Sequence, residues 1–293
     1  MEFNSLKAFI AVAESASFTE ASEQLFLTQP AVSKRIAALE GELGAPLFDR
    51  IGRTITLTEA GKTLLPRARR ILDEVKESRQ AISNLSGEVA GELSFGTSHH
   101  IGLHRLPPIL RAFNQAHPQV ELDIHFYDSE DACREVAHGN LALALITLPT
   151  ELEGPLDELL VWDDPLAVII AHDHPLADNA RISIETLVTQ PAILPSKNTY
   201  TRQLIDEAFH HHGVNANVRL STNYLETIKM MVSVGLGWSI LPKSMVDEDV
   251  RIVEVEGLAL SRRLGVVTHK QRSLTNAAQA LLSLLHDASK GKS

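Results

Sequence analysis

The fold of the N-terminal part is decided by residues 18–57, which read FTEASEQLFLTQPAVSKRIAALEGELGAPLFDRIGRTITL. The apolar residues of this stretch recur at helical spacing in two blocks, which predicts two helices. They are Phe18, Ala21, Leu25, Val32, Ile36, Leu39 and Leu43. Between the blocks, Thr28 can cap a new helix, and Pro30 suits its first turn because the amide hydrogen that proline lacks would be unpaired there. The stretch therefore predicts a helix, a short turn and a second helix.

The second helix carries polar and basic side chains near its N-terminal end, where a helix-turn-helix presents side chains to base edges. We predict that bases are read by Gln29, Ser33 and Lys34. Contacts with the DNA backbone or grooves are expected from Thr28, Pro30, Arg35, Arg50 and Arg53. For the basic members of this set, the alternative is an ordinary solvated surface.

The residues after the second helix predict a wing. Gly44 can end the helix with a positive φ, and residues 54–57 alternate as a short strand does. Arg50 and Arg53 flank a tight turn at Gly52, where they can contact phosphate or the minor groove. The N-terminal part is therefore predicted to be a winged helix-turn-helix.

This pattern resembles the LysR-type transcriptional regulators. The matching residues, in order, are Ala21-Ser22, Leu25, Thr28-Gln29-Pro30-Ala31-Val32-Ser33, Ile36, Leu39-Glu40, Leu43-Gly44, Leu47-Phe48-Asp49-Arg50 and Leu57-Thr58-Glu59-Ala60-Gly61. The resemblance covers the whole chain and is less specific after residue 90. It implies a bacterial regulator whose winged helix-turn-helix and long linker helix precede a two-lobed α/β effector-binding domain of the periplasmic-binding-protein-like type 2 class.

The bulk composition agrees with a globular DNA-binding protein. The chain has 293 residues, of which 44% are hydrophobic and 22% charged, and no apolar run reaches the roughly 18 residues that span a bilayer. The formal net charge is −10, yet residues 24–72 carry more basic than acidic side chains and can hold phosphates. Because the N-terminus lacks a basic signal-peptide region and Cys133 is the single cysteine, we expect a cytoplasmic protein without a disulfide.

A long helix is predicted to follow the wing, from Thr58 as its N-cap to about Leu85. Its apolar residues recur every three or four positions, and Pro66 is expected to bend it. Because a small domain cannot cover such a stripe, the economical partner is the same helix of a second subunit. The predicted domains are a DNA-binding domain at 1–58, a linker and dimerisation helix with a hinge at 59–91, and an effector-binding domain at 92–293.

From Leu93 onward strands and helices alternate, which predicts a mostly parallel sheet with helices on both faces. Residues 102–116 are predicted to form one helix, and residues 167–171 a strand. The elements suffice for two subdomains, with crossovers near residues 162–167 and 266–272. By resemblance to the family, lobe I spans about 92–162 and 267–293, and lobe II spans about 163–266.

Open parallel sheets bind ligands beyond the carboxyl ends of their strands, and in the family's architecture four such ends meet in the cleft between the lobes. Hydroxyl groups and free backbone amides at helix starts favour an anion, so we predict a small anionic effector in this cleft. The candidate residues are Thr97, Ser98, His99, His100, Thr147, Thr199, Arg202 and Thr222. Each hydroxyl residue taken alone has the alternative of an ordinary helix cap, and Arg202 that of a solvated residue at a helix start.

Histidine clusters raise the question of a metal site. His100 and His104 have the spacing that places two ligands on one face of a helix, but no cysteine near them in the sequence completes a site. The three consecutive histidines at 210–212 diverge around a helix and are expected at its exposed end. We predict no metal ion and no cofactor, and we expect Cys133 to be a small buried residue.

The sequence favours a ligand-responsive transcription regulator that binds an interrupted palindrome in double-stranded promoter DNA as a dimer. The family resemblance further implies a homotetramer, contact with RNA polymerase and no membrane partner. The alternative is a solute-binding protein or an enzyme on the same two-lobed fold. Because the chain shows a DNA-binding head and neither a nucleophile elbow nor a phosphate loop, we predict no catalytic residue. A constitutive DNA-binding protein whose C-terminal part serves only assembly is a third hypothesis.

Overall fold

The computed structural model of the protein describes residues 1–51, 54–85, 87–179 and 181–290. The chain divides into two compact units, Met1–Ser86 and Gly87–Ser293. The described elements of the first unit are α1 Phe3–Ser15, α2 Phe18–Gln24, α3 Gln29–Leu43, β1 Phe48–Ile51, β2 Thr54–Leu57 and α4 Glu59–Asn84.

The first unit packs around an apolar cluster to which all four of these helices contribute. In α3, the side chains of Val32, Ile36 and Leu39 are fully buried in this cluster, which fixes the polar side of the helix toward solvent. Thr28 occupies the N-cap position of α3, but its side chain makes no capping hydrogen bond. Gly44 ends α3 at a φ of 68°, as its position in the sequence predicts.

The wing is an antiparallel hairpin of β1 and β2. Its register places Phe48 opposite Leu57 and Arg50 opposite Ile55. Phe48 is buried and lies edge-on to Phe18 with ring centroids 6.0 Å apart, so the hairpin is anchored to the helical core.

Helix α4 begins at a cap that also ties it to the segment before the wing. The Thr58 hydroxyl accepts a hydrogen bond from the amide of Gly61 at 3.0 Å and donates one to the carbonyl of Pro46 at 2.7 Å. The helix continues through Pro66 to Asn84. Leu64 and Ala68, near its start, are buried in the core of the first unit.

The second unit alternates strands and helices. Its described elements are β3 Gly91–Thr97, α5 His99–His104, α6 Leu106–Ala116, β4 Val120–Phe126, α7 Ser129–His138, β5 Leu143–Thr147, β6 Leu156–Ile170, β7 Arg181–Ile182, α8 Ile184–Val188, β8 Ala192–Leu194, α9 Tyr200–His211, β9 Val218–Ser221, α10 Leu225–Ser233, β10 Ser239–Pro242, a 3-10 turn Lys243–Met245, β11 Arg251–Val255, β12 Ser261–His269 and α11 Asn276–Lys290.

One twisted sheet runs through both lobes in the order β4-β3-β5-β12-β6-β11-β7, with β10 also paired to β6. Strand β6 is 15 residues long: it pairs with β12 as far as Pro165 and with β10 from Leu166 onward. The two ends of β6 therefore belong to different lobes. Separate apolar cores follow, one around Phe95 and Phe113 in lobe I and one around Phe209 and Trp238 in lobe II.

The structure corrects four details of the sequence prediction. The region predicted as one helix at 102–116 is two helices that meet at Arg105. The strand predicted at 167–171 is only the end of β6. The chain returns to lobe I earlier than the predicted crossover at 266–272, because β12 already pairs with β5 from Leu264 onward. Strand β12 is antiparallel to β5 and β6, and β6 is also antiparallel to β10 and β11, so the sheet is mixed and not mostly parallel as predicted.

Among the described helices, none combines the length and the apolar character that crossing a membrane requires.

Candidate functional sites

Five of the predicted DNA-contacting residues lie in helix α3, and none of the five is buried. Gln29 and Lys34 are exposed, and Ser33 and Arg35 are half-buried. Thr28 and Pro30, at the start of the helix, are exposed as well. The side chain of Arg50 and the whole of Arg53 lie outside the described residues, so their contact with DNA stays a prediction.

The basic side chains of the first unit differ in whether a protein carboxylate already pairs with them. Among the described residues, Lys34 and Arg35 form no ion pair, whereas Arg69 on α4 pairs with Glu14 at 2.7 Å. A cation without a protein partner can neutralise a phosphate and release counterions. The N-terminal half of α3 is therefore a surface suited to nucleic acid.

A cavity of about 310 Å³ lies in the second unit where the starts of α5, α7, α9 and α10 meet. Five of the residues predicted for an effector line it: Ser98, His99, His100, Thr147 and Thr199. Three carry hydroxyl groups and two carry imidazoles, so the wall of the cavity can both donate and accept hydrogen bonds.

Three predicted effector residues do not line this cavity and leave the candidate set. Thr97 is fully buried, and its hydroxyl lies 3.4 Å from the next backbone carbonyl. Arg202 is buried, and its guanidinium donates to Asp206 at 2.8 Å and to a backbone carbonyl at 3.0 Å. At the fourth strand end, Asn223 lines the cavity in place of Thr222.

Two carboxylates of lobe I reach across the cavity to donors of lobe II. The Asn223 side-chain amide donates to Asp128 at 2.6 Å, and the backbone amide of Tyr200 donates to Glu130. Burial raises the pKa of the Glu130 carboxyl, whereas the hydrogen bond from Tyr200 opposes the rise. The sequence prediction missed these acids, although they directly follow strand β4 and so mark one more strand end at the cavity.

An ion-paired cluster lies beside the cavity at the junction of the lobes. Asp164 is 1% exposed and accepts hydrogen bonds from Arg262 at 2.6 and 3.1 Å and from Arg105 at 2.9 Å. Arg262 also donates to Thr201 at 3.3 Å and lines the cavity. Burial lowers the pKa of the Arg262 guanidinium, and the Asp164 carboxylate opposes that change. The cluster joins the strand β6 to β12 at the point where the chain passes between lobes.

A second cross-lobe cluster joins α5 to α10. The Glu226 Oε1 atom lies 2.9 Å from His104 Nε2 and 3.9 Å from His100 Nδ1, and Oε2 lies 3.5 Å from His99 Nδ1. Burial lowers the pKa of His100 to about 4, so its imidazole is neutral at pH 7. Although burial favours the protonated acid, hydrogen bonds from its own backbone amide and from His104 lower the pKa of Glu226. Glu226 was absent from the sequence prediction.

Sequence comparison matches both parts of the chain to one family. The profile described as "Bacterial regulatory helix-turn-helix protein, lysR family" matches residues 3–62, and "LysR substrate binding domain" matches residues 86–290. The chain belongs to the LysR family of transcriptional regulators.

Curated relatives of this LysR-family chain are named as transcriptional regulators or activators. The probable RuBisCO transcriptional regulator of Cyanidioschyzon merolae is 32% identical over 283 residues, which is 93% of each chain. The HTH-type transcriptional activator CmpR of Synechocystis is 32% identical over 289 residues, which is 96% of this chain and 94% of CmpR.

Solved structures share the fold of this LysR-family chain. A full-length OxyR variant from Pseudomonas aeruginosa has a TM-score of 0.72 and 23% identity, covering 99% of this chain and 95% of OxyR. Full-length CbnR complexed with its target DNA has a TM-score of 0.66 and 21% identity, covering 98% of this chain and all of CbnR. The effector-binding domain of QuiR in complex with shikimate has a TM-score of 0.64 and 20% identity, covering 69% of this chain and 99% of QuiR's domain.

These matches confirm the predicted fold class, a winged helix-turn-helix followed by a two-lobed α/β domain. The chain is a LysR-type transcriptional regulator with an effector-binding domain.

Proposed function

We propose that this regulator controls a promoter through a small anionic metabolite bound in the cavity between the lobes. Residues 1–58 bind DNA, residues 59–91 link and dimerise the subunits, and residues 92–293 sense the metabolite without a cofactor. The observation that carries the anionic character is that two donors of lobe II at the cavity already hold carboxylates. A cytoplasmic location, where the promoter is accessible, belongs to the same proposal.

The proposed DNA contacts divide by role. Base edges are read by Gln29, Ser33 and Lys34, and the DNA backbone or grooves are contacted by Thr28, Pro30, Arg35, Arg50 and Arg53. The exposure of Gln29 and Lys34 supports their role as base readers, since base readers must reach into the major groove. The solved structure of CbnR, whose fold this chain shares, is a complex with its target DNA.

Two substitutions separate these roles. Arg53→Gln should weaken binding to all DNA sequences alike and reduce the salt slope by about one, because a phosphate contact releases one counterion. Gln29→Ala should change base preference at one position of the half-site with a smaller effect on the salt slope. Lys270→Gln, which removes an exposed charge from the second unit, is the matched control and should change neither quantity. The opposite pattern for Arg53 and Gln29 would overturn the assignment.

The anion hypothesis rests on how the cavity donors are already used. The first backbone amide of α9, a 12-residue helix, holds the Glu130 carboxylate, and the start of such a helix favours negative charge. The Asn223 amide holds Asp128 in the same way. A metabolite oxyanion can therefore replace either carboxylate, with the hydroxyls of Ser98 and Thr147 close by in the cavity wall.

Such a replacement gives the ligand a means of control. When a ligand displaces Glu130 from α9, it changes the contacts that hold lobe I against lobe II. Binding then shifts the equilibrium between lobe arrangements by the difference in the ligand's affinity for them. The QuiR domain in complex with shikimate indicates that the same fold accommodates a small molecule.

Thermal denaturation of the full chain against small mono- and dicarboxylates, sulfate and phosphate tests the anion hypothesis. A ligand present at 100 times its Kd stabilises the folded state by about 2.7 kcal/mol, which raises Tm by roughly 5–10 °C for a unit of this size. The Ser98→Ala/Thr147→Val variant should lose this rise, whereas Thr189→Ala, which removes a hydroxyl outside the cavity, should keep it. An equal response of wild type and the double variant would contradict the assignment.

Assembly through α4 is the remaining element of the proposal. Ile82 in the last turn of α4 and Leu85, which directly follows the helix, are 71% and 85% exposed, which favours burial against the same segment of another subunit. We expect dimers through α4, their pairing into a homotetramer, and contact of the DNA-bound assembly with RNA polymerase. Ile82→Asp/Leu85→Asp should lower the mass measured by sedimentation, whereas Ile82→Leu/Leu85→Ile should not. An unchanged mass in the first variant would exclude these residues from the interface.

A further inference from the structure

Unpaired buried polar atoms concentrate at one place beside the cavity. Among the described residues, the buried side-chain atoms without a hydrogen-bond partner are His100 Nδ1 and Nε2, Glu226 Oε2, Glu130 Oε2 and Ser239 Oγ. The first three belong to the cluster that joins α5 to α10. Because a buried polar atom without a partner destabilises the fold, atoms of this kind favour binding of a water molecule, an ion or a ligand.

The geometry of the cluster suits one metal ion. One ligand atom from each of His100, His104 and Glu226 lies within 4.8 Å of the other two. Nitrogen and oxygen ligands lie about 2.0–2.1 Å from a zinc ion, so two ligands of a tetrahedral site are about 3.3 Å apart. The distance from Glu226 Oε1 is already 2.9 Å to His104 and 3.9 Å to His100, so small side-chain rotations bring all three atoms into range.

The chemistry of the ligands limits the choice of ion. Imidazole nitrogens suit zinc, copper, nickel and iron, whereas magnesium and calcium prefer oxygen ligands alone. Neither ring nitrogen of His100 has a hydrogen-bond partner among the described residues, so a lone pair of this imidazole is available for an ion. The His99 Nδ1 atom, 3.5 Å from Glu226 Oε2, is placed to orient the carboxylate from outside the ligand set.

In contrast to the sequence prediction of no metal ion, we propose that His100, His104 and Glu226 form a binding site for Zn²⁺ or a closely similar divalent transition-metal ion. Two ligands come from α5 in lobe I and one from α10 in lobe II, so a bound ion joins the lobes. A site with three protein ligands keeps one position for water or for an anion. The metal is thus a second ligand of the sensor, in addition to the metabolite, and its binding does not depend on the anion hypothesis.

Titration of the chelator-treated full chain tests this site. Isothermal titration with Zn²⁺ should show one high-affinity ion per chain, and Co²⁺ should produce visible d–d absorption of a nitrogen- and oxygen-ligated ion. His104→Ala and Glu226→Gln should each weaken Zn²⁺ binding at least about 10-fold, since loss of even an outer-shell partner commonly costs this much. Both residues are partly exposed, so neither substitution leaves a hole in the core.

The consecutive histidines at 210–212 supply the control. They are exposed and can bind metal weakly, so replacement of all three by alanine should leave the high-affinity step and the cobalt spectrum unchanged. Loss of the high-affinity step in this variant would overturn the proposal. Absence of high-affinity Zn²⁺ binding in the wild type, or its persistence in Glu226→Gln, would also overturn the proposal. The cluster would then be only a hydrogen-bonded contact between the lobes. Because neither DNA nor an anion is present, these outcomes are independent of the proposed function.

Discussion

Replacing Asp164 by asparagine should strongly destabilise the second unit. Asparagine has almost the same volume, so the change removes the charge without a packing defect. It leaves the Arg262 guanidinium, 4% exposed, buried without a counter-ion, whereas Arg105 at 17% exposure can regain water. Breaking a buried ion pair by removing one partner costs about 3–5 kcal/mol, and the partial exposure of Arg105 favours the lower end of that range.

Tryptophan fluorescence during urea unfolding measures this effect without interference from the DNA-binding part. Both tryptophans of the chain, Trp162 and Trp238, lie in the second unit. With a slope of about 2 kcal/mol per molar urea, the loss should lower the unfolding midpoint by roughly 1.5–2.5 M. Asp163→Asn is the matched control because Asp163 is exposed, and its effect should stay within about 0.5 kcal/mol.

A midpoint for Asp164→Asn equal to that of Asp163→Asn would refute the ion-pair argument. A second variant sharpens the test. Asp164→Asn/Arg262→Met removes the stranded charge as well, and should recover part of the lost stability, because an apolar side chain of similar size is tolerated where an unpaired guanidinium is not.

Two further predictions concern other parts of the chain. Gly61→Ala should destabilise the first unit by about 1–3 kcal/mol, because the new methyl group would lie 2.3 Å from the Leu47 carbonyl oxygen. This clash outweighs the gain in helix propensity, and faster hydrogen exchange of the amides in α1 and α3 should report the loss of stability. Burial lowers the pKa of His174, whose Nδ1 accepts a hydrogen bond from the Leu176 amide at 3.2 Å, so the contribution of the neutral imidazole to stability is complete above about pH 6.5 and is lost as the pH falls below that value. The urea midpoint of His174→Asn, which keeps an acceptor, should therefore vary less between pH 7 and 5.5 than that of the wild type. An equal variation in both proteins would contradict this role of His174.

The helix-turn-helix could be predicted because its signals are local. The apolar spacing in α3 and Gly44 at its end act within a few residues of the sequence. Side-chain capping by Thr28 was wrong because the hydroxyl is not needed there: the carbonyl of Thr28 already accepts the amides of Ala31 and Val32, and the side chain stays exposed.

The continuous strand that passes through the lobe junction could not be predicted, because its polar residues obscure the strand pattern. Strand β6 carries Asp163, Asp164 and Pro165 in its middle, a sequence that argues against a continuous strand. The tertiary partners Arg262, 98 residues away, and Arg105, 59 residues away, make a buried carboxylate acceptable at this position.

The residues that line the cavity were predicted in part. The differences between prediction and structure arise from contacts within one helix in one case and between distant parts of the sequence in another. Strand ends correctly indicated Ser98, His99 and Thr147 as cavity residues. Arg202 was assigned to the ligand although Asp206, four residues later on the same helix, was available as its partner. Glu226 could not be foreseen from spacing, because 122 residues separate it from His104.

Competition binding of the full chain to the intergenic DNA beside its own gene tests the central claim most directly. Fluorescence anisotropy should give a preference for this DNA over bulk competitor of at least about 10³, with log K falling linearly as log salt rises. Gln29→Ala should reduce that preference. Equal affinity for the promoter fragment and the competitor, or binding that does not respond to salt, would contradict the account.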